Sequence, residues 1–117
     1  MIDLSVQLHL GDCLSYMRGM PDKSVDAVIT DPPYGAQKAD WDTHFPTEWY
    51  FDARRIGLLV AVITGSAGLK DSVLLVAEDF IDVIAARNLN SLTRGPIGFN
   101  NWLAAVIACG KPKIGNS

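Results

Sequence analysis

The sequence predicts an α/β domain with a mostly parallel sheet, and three observations carry that expectation. The 117 residues are 49% apolar and 20% charged, a globular composition. Residues 5–30 read as strand, helix, strand, the alternation that lays parallel strands side by side with a helix crossing over them. Residues 58–63, LLVAVI, form a continuous apolar run of the length of a buried strand. A chain of this length supports one core, and no repeat, low-complexity tract or linker divides it. Residues 1–117 are therefore read as a single domain.

Each element has a local cause. Residues 5–10, SVQLHL, alternate apolar and polar up to Gly11, the pattern of a short strand. Asp12 suits an N-cap, its carboxylate accepting from free amides at the start of a helix over residues 13–18 that turns Leu14 and Met17 inward. Residues 20–24, MPDKS, make a turn. The second strand, residues 25–30 (VDAVIT), stops at Asp31-Pro32-Pro33 because neither proline can donate to a ladder. After a polar stretch, Pro46-Thr47-Glu48 opens a helix in which Trp49, Tyr50, Ala53 and Ile56 recur at helical spacing, and Gly57 can end it. The strand over 58–63 follows, then a loop over 64–68 and a short helix over 69–78. Residues 80–86 and 102–109 are two further strands, separated by an Asn/Gly/Pro-rich loop over 88–101.

Charge and composition exclude several functions. The net charge of -3 speaks against a free-standing polyanion binder that works by bulk charge. Its distribution is uneven: residues 1–82 hold all thirteen acids against six bases, whereas residues 83–117 hold Arg87, Arg94, Lys111, Lys113 and no acid. Cys13, Cys109, His9 and His44 show no metal-ligand spacing and are read as structural, so no metal is expected. The longest apolar runs are too short to span a bilayer, and the expectation is a soluble, cytoplasmic protein.

The chemistry concentrates at Asp31-Pro32-Pro33-Tyr34-Gly35, placed at the carboxyl end of a strand, where a parallel sheet presents its functional loops. An exocyclic amine of a nucleobase is a poor nucleophile because its lone pair is delocalised into the ring. Hydrogen-bond acceptors that draw it toward a pyramidal geometry make it reactive. Asp31 can provide one acceptor and the Pro32 carbonyl another, with Pro32 and Pro33 fixing the backbone so that the carbonyl is aimed before substrate arrives. Tyr34 can stack on a flipped base and offset part of the cost of unstacking it. Gly35 lets the chain turn away without a Cβ in the pocket. A polyproline-like turn closing a strand is the plain alternative for the same letters.

The flanking residues extend the pattern. Residues 8–35, LHLGDCLSYMRGMPDKSVDAVITDPPYG, closely resemble the amino-terminal catalytic segment of the phage and bacterial DNA amino-methyltransferases, which methylate adenine N6 or cytosine N4 with S-adenosylmethionine. The resemblance implies that Asp31 bonds the target amine, that Tyr34 packs on the base, and that Asp12 lies near the cofactor adenine, although N-capping alone also explains Asp12. Aspartate at position 31 favours adenine, since the cytosine N4 enzymes more often resemble Ser-Pro-Pro-Tyr. Residues 38–55 and 90–113 resemble later parts of the same family more loosely. From them Lys38, Trp41 and Arg94 are expected to line a DNA groove, against the alternative of solvated loop charge and a packed Trp.

The resemblance also implies a fold and a gap in it. Family members with this motif order carry a later strand followed by Asp-Pro-Phe-x-Gly-x-Gly, and no such sequence occurs here. The glycine-rich residues 64–70, TGSAGLK, match neither that pattern nor a phosphate loop. The expected fold is thus a partial Rossmann-like methyltransferase sheet, mostly parallel, lacking the cofactor-binding strands. Two of those strands would separate residues 5–10 from residues 25–30, leaving the latter as an open apolar edge. A second chain or a missing carboxyl-terminal half is the partner this implies, besides DNA, and the isolated chain is expected to be marginally stable or aggregation-prone. Two other readings stand beside this one: an inactive remnant that binds DNA weakly through its basic tail, and an RNA or protein-glutamine methyltransferase. In the latter the cofactor loop precedes the motif, and only thirty residues precede it here.

Overall fold

A computed structural model of the chain describes residues 5–32, 47–87, 93–95, 98–100 and 102–109. The elements are α1 (Cys13–Arg18), β1 (Val25–Thr30), α2 (Glu48–Ile56), β2 (Gly57–Thr64), α3 (Ser66–Val76) running into a 3-10 turn (Ala77–Asp79), β3 (Phe80–Arg87), β4 (Thr93–Gly95), β5 (Gly98–Asn100) and β6 (Trp102–Cys109). α1, β1 and β6 occupy the ranges expected from sequence. α3 begins earlier than expected, taking in residues read as a glycine-rich loop. The roughly 1 kcal/mol cost of a helical glycine is outweighed where Leu69, Val73 and Val76 pack on the core.

The main sheet has the order β1-β2-β6-β3, and β4 and β5 form a separate antiparallel ribbon inside the stretch read as loop. The expectation of a mostly parallel sheet is corrected here. β1 and β2 are parallel, but β6 is antiparallel to both of its neighbours, so two of the three ladders are antiparallel. The connections explain this. Helices α2 and α3 carry the chain back between β1, β2 and β3, which therefore point the same way. No helix among the described residues separates β3 from β6, and β6 returns in the opposite sense, inserted between β2 and β3.

A second expectation is also corrected. Residues 5–10 form no strand, and Val6, Leu8 and Leu10 are 80%, 91% and 107% exposed. Their alternation is that of a strand, but a strand exists only where a neighbouring strand forms a ladder with it, and no described strand pairs with this segment. β1 stands at one edge of the sheet with no described partner on its outer side, and Ile29 is 68% exposed.

The core lies on one face of the sheet. Val60, Val62 and Thr64 of β2 pair in register with Ala108, Val106 and Ala104 of β6, and all six are buried. Over them pack Trp49, Tyr50, Ala53 and Ile56 of α2, Val76 of α3 and Met17 of α1. Ile29, Leu59, Ile84 and Leu103 belong to the opposite face and are exposed. The apolar run in β2 is thus continuous in sequence while alternate residues only are fully buried. No helix among the described residues is long and apolar enough to cross a membrane.

Two polar clusters fix the helices. Arg55 donates from Nη2 to the Met17 carbonyl at 2.8 Å and from Nη1 to the Met20 carbonyl at 2.7 Å and to Asp22 Oδ1 at 2.8 Å. It thereby satisfies carbonyls at the end of α1, a six-residue helix too short to persist alone. The Tyr50 hydroxyl donates to Asp79 Oδ2 at 2.8 Å, and the same oxygen accepts from Arg54 Nε at 2.9 Å. Burial first, then the bond to Asp79 and its charge, push the Tyr50 phenol well above its ordinary range. The folded chain therefore keeps a proton that the unfolded chain releases near pH 10. This contribution to stability is complete below that pH and declines as pH rises past it. Urea titrations from about pH 8 to pH 11 should show that decline, and Tyr50→Phe should flatten it.

Ser72 on α3 is wholly buried, and its hydroxyl has no hydrogen-bond partner among the described residues. Ser72→Ala removes an orphaned polar group and improves helix propensity. It is expected to raise stability by about 1 kcal/mol, seen as a higher urea midpoint at unchanged slope.

Candidate functional site

The chain leaves β1 at Asp31-Pro32 under two helices. α1 ends in the turn that feeds β1, and α2 leads from the segment after β1 into β2. A helix joining two parallel strands runs opposite to them, so the first turn of α2 lies over the carboxyl end of β1. Between these elements is a cavity of about 450 Å³, within the range of small-molecule sites. Its walls come from Cys13, Leu14 and Met17 of α1, residues 28–32 at the end of β1, and Glu48 and Trp49 of α2.

Asp31 and Pro32 both line this cavity, and they differ in exposure: Asp31 is exposed while Pro32 is buried. The buried pyrrolidine of Pro32 anchors the backbone directly beside the exposed Asp31. The cavity is otherwise mainly apolar, with the Thr30 and Cys13 side chains and the two carboxylates of Asp31 and Glu48 as its polar groups. Such a slot admits a planar, neutral ring and offers a hydrogen-bond acceptor to an amino group on it.

Asp12 is the N-cap of α1. In extended conformation, it accepts from the Leu14 amide at Oδ1 (3.1 Å) and from the Ser15 hydroxyl at Oδ2 (3.4 Å). The capping reading of Asp12 therefore holds. Asp12 also lines a second cavity, of about 590 Å³, formed by residues 8–13 with Ser15 and Tyr16, where the His9 ring lies against Tyr16 at 4.1 Å. Cys13 lines both cavities. Pro33, Tyr34, Lys38 and Trp41 lie outside the described residues. Arg94 falls in β4, its backbone opposite Phe99 in the two-stranded ribbon.

Sequence reasoning missed Glu48 and Trp49, which it read as the start of a helix and its buried face. The signal was nonetheless available: a strand–helix–strand crossover brings the first turn of its helix over the end of its first strand.

No protein-family profile matches the chain. It is similar to the Type II methyltransferase M1.MboII of Moraxella bovis, with 38% identity over 37 residues, which is 32% of this chain and 14% of that protein. The matched part thus spans about one seventh of the length of that relative.

Proposed function

We propose that this chain forms the catalytic part of a DNA methyltransferase that moves a methyl group from S-adenosylmethionine to the N6 amine of a flipped adenine, with cytosine N4 as the alternative target. The observation that carries the reading is the mainly apolar cavity beside an exposed Asp31 anchored by a buried Pro32. The partial similarity to a Type II methyltransferase supports it.

In this reading the Asp31 carboxylate and the Pro32 carbonyl accept the two N–H bonds of the amine and draw its lone pair out of the ring. Pro33 keeps the corner rigid and Tyr34 stacks on the base. Lys38, Trp41 and Arg94 hold the DNA strand. As the amine nitrogen is alkylated, the Asp31 carboxylate would accept its proton and pass it to solvent. S-adenosylmethionine supplies the electrophilic methyl carbon when bound. The second cavity suits its adenosyl portion, having apolar and aromatic walls. Asp12 spends one bond per oxygen on capping, and a carboxylate has about four lone-pair sites.

Transfer of labelled methyl groups to mixed-sequence duplex DNA, with the digested nucleosides separated by mass spectrometry, tests this. N6-methyladenine is the expected product, and N4-methylcytosine moves the target to cytosine. A second reading, an inactive chain that needs strands from another segment or subunit, draws on the outer side of β1, which no described strand pairs, and on the exposed Val6, Leu8 and Leu10. Calorimetric titration with S-adenosylmethionine separates the two. Saturable binding favours the enzyme, whereas silence together with no methylated nucleoside favours the inactive chain.

A further inference from the structure

The first turn of α2 adds to the Asp31 cavity two side chains that lie outside the Asp-Pro-Pro-Tyr motif. Trp49 is held from behind. It is 8% exposed and packs edge-on to Tyr50, with ring centroids 5.8 Å apart at 89°. Tyr50 is in turn tied to Asp79, which Arg54 holds. An indole constrained in this way is a rigid wall, and with Leu14 and Met17 of α1 it gives the cavity its apolar surface. Rigid aromatic walls suit planar rings because little side-chain freedom is lost on binding.

Glu48 has the opposite character. It is exposed at the start of α2, where Oε2 accepts from the Thr47 amide at 3.1 Å, and it lines the cavity from a different element than Asp31. One carboxylate is enough to accept from an amine. A second one, on another wall, disfavours any ligand that turns a carbonyl oxygen or a phosphate into the cavity. Selectivity commonly includes such a repulsive element.

We propose that Glu48 and Trp49 are specificity-determining residues of this cavity: the indole packs on a planar base, and the Glu48 carboxylate makes the cavity favour an amino-bearing ring over its oxo counterpart. This rests on the function proposed above and extends it to a choice between bases.

The test uses the whole chain and two probes, 2′-deoxyadenosine and 2′-deoxyinosine, which differ in an amino against an oxo group. Binding is followed by saturation-transfer NMR, with circular dichroism confirming the fold of each variant. The wild type is expected to prefer deoxyadenosine, and Glu48→Gln to shrink that preference by about tenfold with deoxyadenosine affinity kept. Glu48→Asp, which keeps the charge, should retain the preference. Trp49→Phe should weaken both nucleosides by a similar factor. An unchanged preference in Glu48→Gln, or unchanged affinities in Trp49→Phe, overturns the assignment of that residue. Failure of the wild type to bind either nucleoside overturns the whole inference. Methyl transfer to DNA is measured separately, so the Asp31 reading stands or falls on its own.

Discussion

Asp31→Asn is expected to lower methyl transfer to DNA by roughly 10²- to 10⁴-fold, the range associated with losing one positioned acid–base or electrostatic group. The substitution keeps size and shape, so the cavity and the buried Pro32 beside it are preserved. What changes is the hydrogen-bond inventory. A carboxylate only accepts, whereas an amide presents both an acceptor and two N–H donors, and a donor facing the target amine repels the bond it should make. The charge that stabilises the developing positive nitrogen also disappears. The loss should therefore appear in kcat under single-turnover conditions, while affinity for DNA stays within about threefold because phosphate contacts dominate that affinity. A rate within a few-fold of wild type would falsify the assignment of Asp31 as the acceptor.

Gly57→Ala should be the most disruptive single-methyl change in the described fold, at a cost of about 1–3 kcal/mol. Gly57 ends α2 and begins β2, and it pairs with Val25 of β1. Its φ of -98° and ψ of 148° are extended, so an alanine is conformationally acceptable there. The obstacle is space. A Cβ would stand 2.9 Å from the Leu59 carbonyl oxygen, 3.0 Å from Val28 Cγ2 and 3.1 Å from the Ala53 carbonyl oxygen. Two of these three atoms are backbone and cannot step aside without moving α2 or the ladder. Since α2 carries Glu48 and Trp49 over the cavity, the same displacement should loosen the site. Gly19→Ala is the matched control, for Gly19 is helical at φ -82° and its nearest atom to a new Cβ is 3.6 Å away. It should be neutral or stabilising by up to about 1 kcal/mol. Urea midpoints of the two variants give the comparison directly.

The Gly57 case shows how the sequence could be right for an incomplete reason. A glycine after a helical stretch is a stop signal, and the helix does stop there. Its conformation does not need glycine, however; the crossing of α2 over the strand pair does. Asp12 is the converse, a residue whose capping role was legible from position alone and whose oxygens make the expected bonds. The strandless residues 5–10 and the reversed β6 depart from the sequence pattern for one reason. Alternation and apolar runs report which faces a segment can bury, but strand formation and direction depend on which neighbour supplies the amides.

From the chain's letters alone follow α1, β1, the helical face of α2, the apolar β2 and the corner at Asp31-Pro32, because caps, periodicity and proline act within a few residues. The mixed sheet, the single buried face and the meeting of Asp31 with Glu48 and Trp49 required the folded chain. These depend on contacts between segments far apart in sequence, whose geometry is set by crossovers and ladders.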